Sequence, residues 1–213
     1  MVQKRLEAEP RRRGRPRAYD PEAALRQVTD TFWKAGYSAT SLDEISAATG
    51  MNRPSLYAAF GDKHALYLEA LAEYWRISLT ATREALAEDR LLNEALMHAY
   101  EAALSIYFSG EGSPLGCFVM GTAVTEAVMD PDIRESLAVG LRTIDADFEA
   151  RFRIARERGE LGHDADPAAL AFLASATMQT IAIRARAGIP RAELRELARK
   201  AVAMICGQQP GTI

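Results

Sequence analysis

From Asp20 onward, apolar positions recur every three to four residues, and no segment shows the strict alternation of a strand. Helix punctuation divides this pattern. Asp20-Pro21 is a carboxylate cap followed by proline where the first turn needs no N–H, and Ala24, Leu25, Val28, Phe32 and Trp33 form a stripe that Gly36 ends. Ser41 and Glu44 make a capping box ahead of a second helix with Leu42, Ile45 and Ala48 on its buried side, stopped at Gly50. Met51 turns inward. Asn52 caps a third helix that tolerates Pro54 in its first turn and buries Leu56 and Phe60.

Asp62 caps a fourth helix, expected to run to about Glu88 through Leu66, Leu68, Ala70, Leu71, Tyr74 and Trp75. A fifth is predicted from Leu91 to Phe108. The next segment, LGCFVMGTAVTEAVM, is apolar on nearly all sides and predicts burial all round. Asp130-Pro131 and Asp166-Pro167 open two more helices, ending near Arg158 and Ala187, and a last one spans about Arg191 to Ile205. The pattern predicts an all-α chain of nine helices.

The second and third helices, joined by a tight turn, are the informative pair. With Leu56 and Phe60 turned inward, the third helix leaves Arg53, Ser55, Tyr57 and Ala59 facing elsewhere. One arginine among small residues lets the backbone approach a surface closely. That suits a helix in a DNA major groove, where Arg contacts guanine through two hydrogen bonds; an ordinary helical hairpin fits the local pattern too.

The stretch TSLDEISAATGMNRPSLYAAFGDKHALYLEAL resembles the DNA-binding domain of the TetR/AcrR family of bacterial transcriptional repressors, strongly over roughly Asp20 to Leu71. Leu56, Tyr57, Phe60 and Lys63 reproduce the family's Leu-Tyr-x-x-Phe-x-x-Lys spacing. Ser46 stands where such units usually carry Ala, a small-for-small exchange. The resemblance implies a nine-helix TetR-like architecture, with a three-helix reading unit and a C-terminal helical domain for effector binding and dimerisation. It also implies a homodimer reading two half-sites of a palindromic double-stranded operator about 34–36 Å apart. On this reading Arg53, Pro54 and Ser55 face bases, Tyr57, Lys63 and Ser41 hold phosphates, and Thr40 joins them.

Charge supports a division at 66. Residues 1–66 hold eleven Lys and Arg against eight Asp and Glu, whereas 67–213 hold fifteen against twenty-one, within an overall net charge of −3. The expected organisation is an arm over 1–18, a DNA-binding domain over 19–66 and an effector and dimerisation domain over 67–213. The arm has too little apolar content to order a core. Within it, Arg13-Gly14-Arg15-Pro16 resembles an AT-hook, a minor-groove element; a solvated basic tail attracting phosphates is the equal alternative.

Cys117 and Cys206 form neither a disulfide framework nor a metal-ligand spacing, which fits a reducing cytoplasm. No secretory signal is read at the N-terminus, and no apolar run approaches the roughly 20 residues of a membrane span. His64, His98 and His163 lie in separate elements, and no nucleophile elbow or phosphate loop occurs. No enzyme activity, cofactor, metal or membrane partner is expected.

An effector pocket between residues 92 and 180 is expected from Met97, Tyr100, Cys117, Phe118, Met120, Met129, Phe148, Phe152, Phe172 and Met178, whose soft and amphipathic side chains suit a small apolar molecule. Each of these is also a candidate for plain core. Cys117 carries the alternative of a redox-sensing regulator, against inert packing. The last two helices, with Leu170, Leu173, Ala174, Thr177, Met178 and Ile181, then Leu194, Leu197, Ala201, Val202 and Ile205, are the expected dimer surface, with internal core as the competing use.

Overall fold

The computed structural model describes residues 20–87, 89–110 and 112–207, and Arg13 and Arg15 of the arm lie outside them. Among the described residues there are nine helices and no strand: α1 Pro21–Ala35, α2 Leu42–Thr49, α3 Arg53–Phe60, α4 Lys63–Ala85, α5 Leu92–Tyr107, α6 Phe118–Glu126, α7 Pro131–Glu157, α8 Pro167–Arg186 and α9 Arg191–Ile205. The caps are those of the sequence pattern. Side chains of Asp20, Ser41, Asn52, Asp62, Asp130 and Asp166 accept first-turn N–H groups, and Gly50 closes α2 in the left-handed conformation.

Two apolar cores form, and α4 contributes to both. The first gathers Val28, Phe32 and Trp33 of α1, Ile45, Leu56 and Phe60 of the hairpin, Leu66 to Tyr74 of α4, and Phe118, Val119 and Ala123 of α6. The second packs the far end of α4 with α5, α7, α8 and α9 around Leu96, Tyr100, Phe148, Phe152 and Ile181. Trp75 packs against both. The expected boundary at 66 therefore falls inside a continuous helix whose reading-unit core extends to Tyr74 and borrows α6.

Close approaches fix the body. Gly140 of α7 lies flat against the Trp75 indole, and a Cβ there would stand 2.1 Å from Cε2. Neither the indole nor the helix backbone yields by simple rotation, so Gly140→Ala is expected to lower stability by about 1–3 kcal/mol through overpacking. A fall in the urea midpoint at unchanged slope would show it.

Three expectations change. Ala48 is exposed, because the narrow contact of α2 with its neighbours takes only Ile45 fully and Leu42 in part. The α6 segment is not buried all round: Phe118, Val119, Thr122 and Ala123 are, while Val124, Val128 and Met129 face outward. By length and composition α8 does suffice to cross a bilayer. Its inward residues, Ala171, Ala174, Ser175, Met178, Ile181, Ala182 and Ala185, are buried within the fold, while Phe172, Leu173 and Ile183 face outward.

Candidate nucleic-acid interface

At the turn before α2, Ser41 completes the capping box: its hydroxyl accepts from Glu44 N–H at 3.2 Å, and its own N–H donates to Glu44 Oε2 at 2.7 Å. That N–H, together with the Ser41 hydroxyl donating to the same Oε2 at 2.8 Å, holds the Glu44 carboxyl below the usual carboxylate range. Ser46, the departure from alanine, donates its hydroxyl to Met51 O and ties the end of α2 to the turn. Asn52 Oδ1 accepts from Ser55 N–H at 2.9 Å and starts α3. These local bonds, with Leu56 and Phe60 buried, set which side of α3 faces out.

That side presents Arg53, Pro54 and Tyr57, all exposed, with Ser55 half-buried. The Arg53 guanidinium donates to Asp43 of α2 with Nε at 2.9 Å from Oδ1 and Nη2 at 2.6 Å from Oδ2. This is the planar two-bond geometry that a guanine edge also offers, so Asp43 holds the fork extended and occupies it in the free chain. Lys63 opens α4 with Nζ 4.5 Å from the centre of the Tyr37 ring, half-buried beside the positive end of the helix.

Thr40 departs from its expected role. It is 1% exposed, its hydroxyl donates to Gly36 O at 2.7 Å and its N–H to Tyr37 O at 3.3 Å, so its donors are used inside the turn. Sequence reading missed Asp43 as the partner of Arg53, since a contact across the turn at ten residues' separation matches no helical spacing.

Behind this surface an aromatic cluster joins the reading unit to the body. Phe118, fully buried at the start of α6, meets Trp33 at 5.8 Å, Tyr74 at 5.5 Å and Tyr67 at 5.9 Å between ring centres. The Tyr67 hydroxyl lies 2.7 Å from Thr122 Oγ1. Ser38 donates to Glu126 Oε1 at 2.7 Å, and His64 Nε2 lies 2.8 Å from Asp130 Oδ2.

Beyond Phe118 a pocket with about 390 Å³ of empty space, part of it open to solvent, lies between α4, α6, α7 and α8. Of the expected lining residues, Cys117, Met120 and Met178 are there, together with Trp75, Ser78, Tyr107, Val119, Leu141, Ile144, Ser175 and Gln179, which the sequence reading assigned to core or passed over. The others are elsewhere. Phe118 serves the aromatic joint; Tyr100, Phe148 and Phe152 are fully buried in the second core, where Tyr100 donates to Ala174 O at 3.1 Å. Met97 packs towards α9, Met129 is exposed, and Phe172 is 66% exposed on the outer side of α8. Burial pushes the Cys117 thiol up, so it stays protonated at neutral pH and is a poor nucleophile. The redox alternative loses its support there.

Comparison with known proteins bears on the whole chain. The family model described as bacterial regulatory proteins, tetR family, matches residues 25–70, and that of the tetracyclin repressor-like C-terminal domain matches 87–202. The HTH-type transcriptional repressor ComR of Escherichia coli is 32% identical over 87% of this chain and 89% of its own length. BdcR, a second repressor from that organism, is 36% identical over 50% of this chain and 54% of its own. A cysteine mutant of the TetR family regulator CifR, solved with 26-bp double-strand operator DNA, superposes with a TM-score of 0.80 at 30% identity, covering 88% of this chain and 98% of that one. Family members act on DNA as dimers with small-molecule effectors. With a helix-turn-helix exposed at one end and both family domains matched in order, the chain belongs to the tetR family of bacterial regulatory proteins and is a DNA-binding transcriptional regulator.

Proposed function

We propose that the protein is a cytoplasmic repressor that binds a palindromic operator as a homodimer and leaves it when a small molecule enters the α4–α6–α7–α8 pocket. The observation that carries this reading is Phe118: one residue after pocket-lining Cys117, it is wedged among Trp33, Tyr67 and Tyr74 of the reading unit. A molecule displacing α6 would move that wedge, and it shifts the balance only by binding one arrangement better than the other. The lining has no formally charged residue, and it offers hydroxyls, an amide and the unpartnered buried Nε1 of Trp75. These features suit an uncharged, mainly apolar effector with a hydrogen-bond acceptor.

In this reading residues 19–66 form the DNA-binding domain and 67–213 the effector and dimerisation domain, with α4 common to both. Arg53, Pro54 and Ser55 face bases; Tyr57 and Lys63 meet phosphates through donors at or near the surface, and Ser41, exposed but with its hydroxyl donating to Glu44 Oε2 at 2.8 Å, joins them only by giving up that bond. The arm's Arg13 and Arg15 add minor-groove or phosphate contacts. Phe172, Leu173 and Ile183 of α8 with Leu197 and Met204 of α9 are exposed on the last two helices, and a second copy would cover them as a four-helix interface. Footprinting on DNA upstream of candidate target genes is expected to protect a two-fold repeat whose half-sites lie about one helical turn apart. Broad A·T-rich coverage without a palindrome would replace this reading with an architectural role for the arm.

A further inference from the structure

We propose that His64, Asp130 and Asp132 form a divalent-cation site that clamps the reading unit to the body. Their ligand atoms lie within 4.8 Å of one another: His64 Nε2 is 2.8 Å from Asp130 Oδ2 and 4.0 Å from Asp132 Oδ2. An ion bonded tetrahedrally at about 2.0–2.2 Å separates its donors by roughly 3.3–3.6 Å, so small side-chain rotations open the short gap and close the long one. Imidazole with two carboxylates suits a first-row ion such as Zn²⁺ or Mn²⁺, with water completing the shell on the open side.

Helix starts favour acids, which accounts for part of this arrangement but not all of it. Asp130 Oδ1 caps α7 by accepting from the N–H groups of Asp132 and Ile133, at 3.0 and 3.1 Å. That bond pattern fixes the carboxylate and leaves Oδ2 turned to His64. Asp132 makes no hydrogen bond with its side chain among the described residues and is exposed. Capping does not explain the imidazole, brought from the first turn of α4. Lys63, the adjacent cation, is turned onto the Tyr37 ring.

The ion would join the first turn of α4, directly after α3, to the first turn of α7, stabilising the arrangement of the two parts seen here. Calorimetric titration of the full chain with Zn²⁺ and with Mn²⁺ tests this. One ion per chain is expected from at least one of them, with a rise in melting temperature on loading. His64→Gln and Asp132→Asn should each weaken binding by at least about tenfold, since even partners one bond removed from a metal matter that much, and should remove the thermal shift. Asp132→Asn leaves the α7 cap in place, so its fold is retained even if His64→Gln is damaging. His98→Gln and His163→Gln should leave binding unchanged. Absence of saturable binding, binding indifferent to Asp132→Asn, or binding lost with His98 or His163 would each overturn the assignment.

Discussion

Phe118→Ala is expected to cost about 3–5 kcal/mol of folding stability, the range for emptying a fully buried phenylalanine position. The ring touches three aromatic rings from two helices of the reading unit, and none of them can follow it without leaving its own contacts. In a chain of 213 residues this corresponds to a fall of roughly 6–20 °C in melting temperature. The functional consequence separates this position from ordinary core. Below its melting temperature the variant should still bind operator, because the hairpin's own contacts through Ile45, Leu56 and Phe60 remain. Release by effector should be blunted, since α6 has lost its grip on α1 and α4. Phe152→Ala, equally buried but confined to the second core, is the control: comparable loss of stability with the effector response retained would assign the coupling to Phe118. Equal responses in both variants would remove the joint from the mechanism.

Arg53→Ala should weaken operator binding about 5- to 150-fold and relax preference at one base position, the span reported by a two-bond Arg–guanine contact. Fluorescence anisotropy on the operator and on single-base variants measures both effects. A loss that is uniform across sequences would instead place Arg53 on the phosphate backbone. Asp43 sharpens the comparison. The pair already exists in the free chain, so on the proposed reading recognition would exchange Asp43 for a base edge, and a sequence that cannot make the exchange would leave Arg53 where it is. Asp43→Ala is therefore expected to raise affinity for non-operator DNA more than for operator, lowering the ratio between them.

The reading unit was legible because its signals are local. Capping box, Gly50 and Asn52 are fixed by neighbours within five residues, and the Leu56/Phe60 stripe then decides which side of α3 is free. Lost were contacts that depend on distant chain. Thr40 reads as a surface hydroxyl until the turn folds back on Gly36. Trp75 belongs to an unremarkable helical stripe, and only the absence of a side chain at Gly140, far along the sequence, makes room for its indole beside the pocket. Phe172 failed for a different reason: α8 is apolar around most of its circumference, so its inward and outward faces share one composition. His64 and Asp130 are each unremarkable alone and meet only when α4 and α7 are brought together.

Because α4 is one unbroken helix of 23 residues, it measures about 35 Å from end to end. The pocket meets it at Trp75, about 18 Å from the Lys63 end, so a pivot of about 10° there sweeps the DNA-side tip through roughly 3 Å. Two such tips, related by the two-fold axis of the proposed dimer, would change the separation of the paired α3 helices by up to about 6 Å. On the proposed mechanism, a ligand that disturbs packing near Trp75 is felt through this rod at the DNA-facing end.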